Sequence, residues 1–362
     1  MILGVIAQVR DEIDILRPWL QHVDALFDKA FLIDHQSIDG TSEMLKQAVA
    51  QRPGWNYYFL DVKTQLQAAT ATLIMHEAFA SGVDYLFFLD GDEFIQVESR
   101  AELEGLLVNK PNPLIAADMH WKNCIRKNLS SYPFSFNELL WIPEKISNHK
   151  KIILPREQYF KYGHDLRISH GNHSAFTYTG VKLNSECVGT LMHLPIRSRN
   201  QAIRKIILTV IAERGFGTRD PKRSEHTYEM LRRIAQGELD DDDIRGFTIA
   251  YDNITKTGSG ISEAELLDQK YTLTSFEELH VAQSPLLQLN SIPVETVFAS
   301  QLANALNNLE EKVPDFVKLK LNNGVITIDP SSLQPAISSK IRKLAFSIKS
   351  KLIKNWLSKK SC

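Results

Sequence analysis

Cysteine is scarce: Cys124, Cys187 and Cys362 are the only three in 362 residues, and none stands in C-x-x-C spacing. That gives no sign of a disulfide framework or a thiolate zinc site, and a reducing, cytoplasmic setting is the simplest expectation. Neither sign of charge is in excess, since 42 Lys and Arg face 43 Asp and Glu for a formal net charge of −1. A surface that coats nucleic acid is therefore not expected, and any electrostatic specialisation has to be local. Long apolar runs are missing as well. The run from Met1 to Ala7 meets Arg10-Asp11-Glu12 too soon for a signal peptide, and no later run approaches the roughly 20 apolar residues of a membrane span. No internal repeat is visible.

What is present is the makings of a sizeable core, with 43% hydrophobic and 23% charged residues. At about 150 residues per domain, the length suits two domains or one α/β domain with an appended helical region. The first 120 residues alternate apolar runs of strand length with amphipathic stretches of helix length, the pattern of a mainly parallel, Rossmann-like sheet with helices on both faces. Strands are expected at Ile2–Val9, Lys29–Ile33, Trp55–Leu60 and Asp84–Leu89. Helices are expected from Arg17, with Pro18 in the first turn, around Met44–Val49, and over Gln65–Ser81. Past residue 110 the pattern loosens, with a strand expected at Leu114–Met119 and others between Lys151 and Leu194. A helix from Arg199 to about Arg214 is marked by Ser198 and Gln201 in S-x-x-Q spacing. The rest reads as mainly helical, with the acidic cluster Glu238 and Asp240 to Asp243 at a solvated helix start or loop.

The sharpest feature is Leu86-Phe87-Phe88-Leu89-Asp90-Gly91-Asp92-Glu93-Phe94. An apolar strand, fit to be buried on both sides, runs straight into clustered acids. Carboxylates gathered there repel one another and lose solvation, which makes sense if Mn²⁺ or Mg²⁺ sits among them with diphosphate oxygens and water. A solvated acidic turn is the plainer reading of the triplet alone. A second polar segment, Asp34-His35-Gln36-Ser37-Ile38-Asp39-Gly40-Thr41, follows the second strand. Polar residues after a strand's carboxyl end are where open α/β sheets bind ligands.

Three enzyme readings compete. Haloacid-dehalogenase-like phosphatases place D-x-D after an apolar strand with the first acid as nucleophile, which would be Asp90. Their motif usually lies near the first strand and runs on into Gly-Thr or Gly-Val, whereas three strands precede it here and Glu93-Phe94 follows. Diguanylate cyclases carry a G-G-D-E-F hairpin whose first glycine is Asp90 here. The third reading also accounts for the N-terminus. Strand one, Arg10-Asp11-Glu12, Trp19-Leu20, the Ile33–Thr41 segment and Leu89–Phe94 together resemble the nucleotide-binding half of family 2-like glycosyltransferases, including those whose metal motif ends in D-E-F. A weaker match continues to His193-Leu194-Pro195-Ile196-Arg197-Ser198, Gln201 and Lys205.

This resemblance implies a GT-A fold over residues 1–215, with 1–100 as the nucleotide-sugar half and 101–215 facing the acceptor, ahead of a helical region over 216–362. It implies a nucleotide-diphosphate sugar donor and a divalent metal, Mn²⁺ or Mg²⁺, between diphosphate and acids. Carried over by position, Ala7, Gln8, Val9 and Arg10 lie beside the nucleoside, and Asp34 accepts from base or ribose. Asp92 ligates metal, Asp90 contacts ribose or metal-bound water, and His193 completes the metal shell or touches the diphosphate. Lys205, with Arg197, Arg199 and Arg204, would meet phosphates at the start of the helix after Ser198. A turn histidine satisfied by backbone is the plainer reading of His193.

A base for the acceptor hydroxyl is not marked, because the Glu-Asp pair common in the relatives is absent between residues 100 and 200. Glu138, Asp165, Glu186 and the His170-Gly171-Asn172-His173 cluster are candidates, with His173 and Asp165 as the preferred pair. Trp121, Tyr132, Phe134, Phe136 and Trp141 suit sugar stacking or, more ordinarily, the core. Lys340–Lys360 carries eight basic residues and no acid, with Ile341, Leu344, Ile348, Leu352 and Trp356 on one helical face. It reads as a helix capping the domain or as a peripheral anchor on the anionic inner face of a membrane. The expected activity is inverting transfer of a sugar to a hydroxyl of a cell-surface glycan or lipid-linked acceptor. A D-x-D phosphohydrolase and a non-catalytic carbohydrate-binding protein are the alternatives.

Overall fold

The computed structural model describes residues 1–62, 66–129, 134–215, 225–250, 260–285, 287–289 and 319–328. The expected basic helix at 340–360 and Tyr132 lie outside the described residues.

The N-terminal third follows the alternation of its sequence: β1 (Leu3–Val9), α1 (Ile13–Leu26), β2 (Lys29–Asp34), α2 (Thr41–Gln51), β3 (Trp55–Leu60), α3 (Gln67–Ala80) and β4 (Tyr85–Asp90). A three-residue strand, β5 (Glu93–Ile95), and α4 (Arg100–Val108) follow. Then come β6 (Ala116–Asn123), β7 (Ile125–Arg126), β8 (Leu139–Pro143), β9 (Lys150–Pro155), α5 (Arg156–Tyr162), β10 (Leu166–Ile168), β11 (Ala175–Thr177), β12 (Ser185–His193) and α6 (Arg199–Gly215). Beyond residue 215, helices α7 (Glu225–Gln236), α8 (Asp241–Ala250) and α9 (Glu263–Asp268) are joined by strands that the sequence did not signal: β13 (Tyr271–Ser275), β14 (Leu319–Asn322) and β15 (Val325–Ile328). Tyr271-Thr-Leu-Thr-Ser alternates apolar and polar residues, and β13 pairs antiparallel with β8. The acidic cluster opens α8, where Asp240 Oδ1 accepts from the Asp243 N–H at 2.8 Å.

The central sheet has the order β14-β15-β3-β2-β1-β4-β9-β6-β12-β5. Its pairings make β1, β2, β3, β4, β6, β12 and β15 run one way and β5, β9 and β14 the other. Side chains alternate along β1, so Leu3, Val5, Ala7 and Val9 join a core with α1 and α2 on one face. Ile6 joins α3 on the other face. The result is a mixed α/β fold with helices on both faces of a large central sheet.

Helix α1 starts at Ile13, four residues before the expected Arg17, because the loop after β2 caps it. Asp39 Oδ2 accepts from the Ile13 N–H at 3.1 Å and Thr41 Oγ1 from the Glu12 N–H at 2.9 Å. Pro18 consequently lies inside the helix instead of in its first turn. Lacking an N–H, it leaves the Asp14 carbonyl without its helical donor, and the Phe134 N–H supplies one at 3.1 Å.

Candidate functional site

Strand direction builds the site. The shared orientation of β1, β2, β4, β6 and β12 brings Val9, Asp34, Asp90, Asn123 and His193 to one edge of the sheet. The opposed strands β9 and β5 begin there with Lys150 and Glu93. At this edge lies a cavity of about 340 Å³, walled by Gln8, Val9, Arg10, Glu12, His35, Gln67, Asp90, Gly91, Asp92, Trp121, His193, Gln201, Arg204, Lys205 and Leu208.

Gly91 lets the acidic step close on strand one, since a Cβ there would come within 2.8 Å of Val9 Cγ1. Asp92, 4% exposed, meets Lys205 Nζ at 3.1 Å through Oδ2 and His193 Nε2 at 3.7 Å through Oδ1. Burial pushes its carboxyl up, but the charges of Lys205 and Arg197 outweigh burial and hold it well below the usual carboxylate range. Burial lowers His193 to about 3, against the pull of Asp92. The imidazole is neutral at pH 7, so its approach to Asp92 is not an ion pair. His193 Nδ1 donates to Asn123 Oδ1 at 2.5 Å and leaves Nε2 turned toward Asp92.

Asp90 is held from two sides. Lys151 Nζ donates to Oδ2 at 2.6 Å and Gln67 Nε2 to Oδ1 at 2.7 Å. Lys151 is buried, yet Asp90 and Glu93 outweigh the effect of burial and keep its ammonium above the ordinary lysine value. Glu93 is fully buried, and burial, with Asp90 and Asp92 nearby, raises it to about 8 despite Lys151.

Arg197 joins the sheet edge to α1. It donates to Asp14 Oδ1 and Oδ2, each at 2.8 Å, and pairs with Glu12, while Nη1 lies 3.8 Å from Asp92. It is 0% exposed, and these carboxylates raise its basicity further against burial. That commits Arg197 to carboxylates of the fold and not to the phosphate contact expected of it. Arg204 and Lys205 reach the cavity, and Arg199 lies apart beside Asp241 at 3.8 Å. Ser198 caps α6 by accepting from the Gln201 N–H at 3.2 Å, while Gln201 Oε1 accepts from the Arg197 N–H at 3.1 Å.

The other residues singled out in the sequence divide between the cavity and its surroundings. Val9, Arg10, Asp90, Asp92, His193 and Lys205 line it. Ala7 is buried in the core below. Asp34 does not line the cavity; its oxygens accept from the Ser37 N–H at 3.0 Å, the Tyr57 hydroxyl at 3.1 Å and the Ser42 hydroxyl. Asp165 accepts from the Tyr178 N–H at 3.0 Å beside the β10–β11 pair and does not line the cavity. His173 lies just behind the wall. Its Nδ1 donates to the Lys150 carbonyl at 2.6 Å, and its ring meets Trp121 edge-on at 5.3 Å. Burial lowers its imidazole to about 4. Gly171 N–H donates to Gln67 Oε1 at 3.1 Å, which ties this loop to Asp90 through one side chain. Glu138 is paired with Arg126 at 2.5 Å, and Glu186 accepts from the Asn112 N–H at 3.4 Å. Of the aromatics, Trp121 lines the cavity, stacked on His193 at 4.3 Å, while Phe134 and Trp141 are buried in the core.

Lys151, Gln67 and Asn123 went unmarked in the sequence, and Glu12 was singled out only as part of Arg10-Asp11-Glu12, with no role of its own. Lys151 opens the apolar run Ile152-Ile153-Leu154, where a buried lysine needs an acid to face. That was the one available signal.

A divalent ion would find two donors here. Asp92 Oδ1 and His193 Nε2 are 3.7 Å apart, wider than the about 3.0 Å between adjacent octahedral donors at bonds of about 2.1 Å, so the two have to close by a fraction of an ångström to share one ion. The Asn123 contact sets the His193 tautomer required for this. Asp90 is turned to Lys151 and Gln67 and does not add a third donor, because among the described residues the three-donor sets within 4.8 Å do not include it.

No protein-family profile and no curated protein matches the chain. Among solved structures, the chain has a distant likeness to mannose-1-phosphate geranyltransferase from Thermus thermophilus, with 12% identity and a TM-score of 0.24. The match covers 45% of this chain and 54% of that one, and a likeness so slight carries no argument about function.

Proposed function

We propose that the protein is a GT-A-type glycosyltransferase that moves a sugar from a nucleotide-diphosphate donor to a hydroxyl of a glycan or glycolipid, with inversion. The observation that carries the reading is the meeting of Asp92 and His193 with Arg10, Arg204 and Lys205 around one cavity at the carboxyl edge of the sheet. Acids and bases are interleaved there, as a bound diphosphate together with a cation requires.

Arg10, Arg204 and Lys205 would receive the diphosphate oxygens. Lys205 would turn from Asp92 toward phosphate as the donor enters. Asp92 and His193 would hold Mn²⁺ or Mg²⁺, which supplies positive charge for the departing diphosphate. Trp121 would line the sugar side of the cavity, and His173, edge-on to it at 5.3 Å, is the base candidate nearest the cavity among those expected from the sequence. Both oxygens of Asp90 are hydrogen-bonded, and that counts against a nucleophilic role in a phosphohydrolase.

The test is a thermal-shift screen of nucleoside diphosphates and nucleotide sugars with and without Mn²⁺, followed by donor hydrolysis. Metal-dependent stabilisation by one base, lost in Asp92→Asn, is the expected result. Stabilisation by none of them, or equal stabilisation of wild type and Asp92→Asn, would overturn the reading.

A further inference from the structure

Away from the cavity, β6 and β12 bring Asp118, His120 and Cys187 together. In the parallel register Cys187 lies beside Asp118, and His120 lies two residues further along the same face of β6. Their donor atoms all lie within 4.8 Å of one another, and among the described residues this is the one group of three that does so. We propose that these residues form a binding site for one zinc ion.

The donor chemistry is that of zinc, which takes thiolate, imidazole and carboxylate in a tetrahedron and leaves a fourth position to water when the protein gives three ligands. Asp118 Oδ1 and His120 Nε2 are 3.3 Å apart. Two bonds of about 2.05 Å at the tetrahedral angle set their donors about 3.3 Å apart. His120 Nδ1 donates to the Ser147 carbonyl at 2.8 Å, so the neutral ring carries its lone pair on Nε2, facing Asp118.

Asp118 supplies a second observation. Its side chain is 1% exposed, and Oδ1 has no hydrogen-bond partner, even with the imidazole at 3.3 Å. Oδ2 accepts from Lys150 Nζ at 2.6 Å, and that ammonium is itself fixed by Ser185 Oγ at 3.0 Å. One oxygen is thus anchored, and the other is aimed at the gap between His120 and Cys187. A buried carboxylate oxygen left unsatisfied is costly, and a cation relieves it.

Cys187 gives access from solvent. It is exposed, and a register shift between Cys187 and Gly189 sets it at a bulge, where its thiol points to the Gly189 carbonyl at 3.6 Å. On binding, the S–H bond gives way to S–Zn and the proton leaves to water. The site is distinct from the nucleotide cavity, since none of the three residues lines it. Asp118 is five residues back from Asn123 on β6, about 17 Å along the strand at about 3.3 Å per residue. Zinc here would pin β6 to β12, the strands that end in Asn123 and His193.

The experiment uses the full chain, stripped with a chelator and then titrated with zinc chloride against a chromophoric competitor, and separately loaded with Co²⁺. One equivalent is expected to bind, with a tetrahedral Co²⁺ spectrum and a thiolate charge-transfer band. Cys187→Ser should abolish that band, and Cys187→Ser and His120→Ala should each weaken zinc binding at least tenfold while far-ultraviolet circular dichroism is unchanged. Asp92→Asn should leave the thiolate charge-transfer band as it is, because Cys187 belongs to this site and not to the donor pocket. Absence of zinc binding at micromolar concentration, or equal binding by wild type and Cys187→Ser, would overturn the proposal and leave Asp118 and His120 as a simple acid–imidazole pair.

Discussion

Lys151 Nζ lies 2.6 Å from Asp90 Oδ2 across the antiparallel pair β9 and β4, and 3.4 Å from Glu93 Oε1. One buried ammonium thus pairs with Asp90 and lies within reach of Glu93. Lys151→Met would leave Glu93 and Asp90 without it. Breaking a buried pair from one side costs about 3 kcal/mol or more. Urea unfolding should show that loss, and an unchanged midpoint would mean the pair is not holding the edge together.

Asp92→Asn removes the negative charge while keeping the shape. If the carboxylate acts on the donor diphosphate through a metal, kcat should fall about a hundredfold or more while the variant still folds. Steady-state donor hydrolysis checks it, and a change confined to KM would assign Asp92 to binding alone.

Buried histidines act on the acid side of stability, and His22 and His35 show how. His22 Nδ1 donates to the Ala282 carbonyl at 2.8 Å, and Nε2 accepts from the Ile95 N–H at 2.9 Å, so the ring is fixed in its neutral form. Burial lowers His22 to about 4 and His35 to about 3, below the 6.5 of a free imidazole. Each is neutral when folded and protonated when unfolded between those limits. Their contribution is complete above pH 6.5 and is lost as pH falls toward 4, by about 1.4 kcal/mol per pH unit for each. Denaturation between pH 4 and 8 should show the slope. In His22→Gln it should flatten by one proton.

Gly171 has φ +72°, and a Cβ there would strike the His173 ring. Gly171→Ala should cost more than about 1 kcal/mol, from strain and collision together. It should also loosen the Gly171–Gln67–Asp90 chain of hydrogen bonds. Slower donor turnover than in a Gly180→Ala control, whose Cβ would meet nothing, is the outcome expected.

The first four strands, α2, α3 and α6 were legible in the sequence because each carries its own period and boundary residues. Helix α1 was misplaced at its start because its caps, Asp39 and Thr41, come from a loop more than twenty-five residues away. Strand β5 was hidden for another reason: Glu93-Phe94-Ile95 is too short to show alternation and exists because β12 pairs with it. In the site, the acids stood out because carboxylates after a buried strand are unusual. Lys151 did not, since a lone basic residue looks like any other until the sheet brings an acid against it, and Arg197 stood out for phosphate and not for Asp14 and Glu12, which it meets. The zinc ligands were still harder to find. Asp118 and His120 sit on one strand, but Cys187 joins them only through the β6–β12 register.

The β14–β15 hairpin joins the far side of the sheet, where Val325 and Ile326 run parallel to Phe59 and Leu60 of β3. β3 would otherwise end the sheet with its hydrogen-bonding groups exposed, an invitation to pair with another molecule. A segment more than 250 residues later in the chain thus shields a strand that is synthesised well before it. Nascent chains would carry that sticky margin until the ribosome had delivered Ile326.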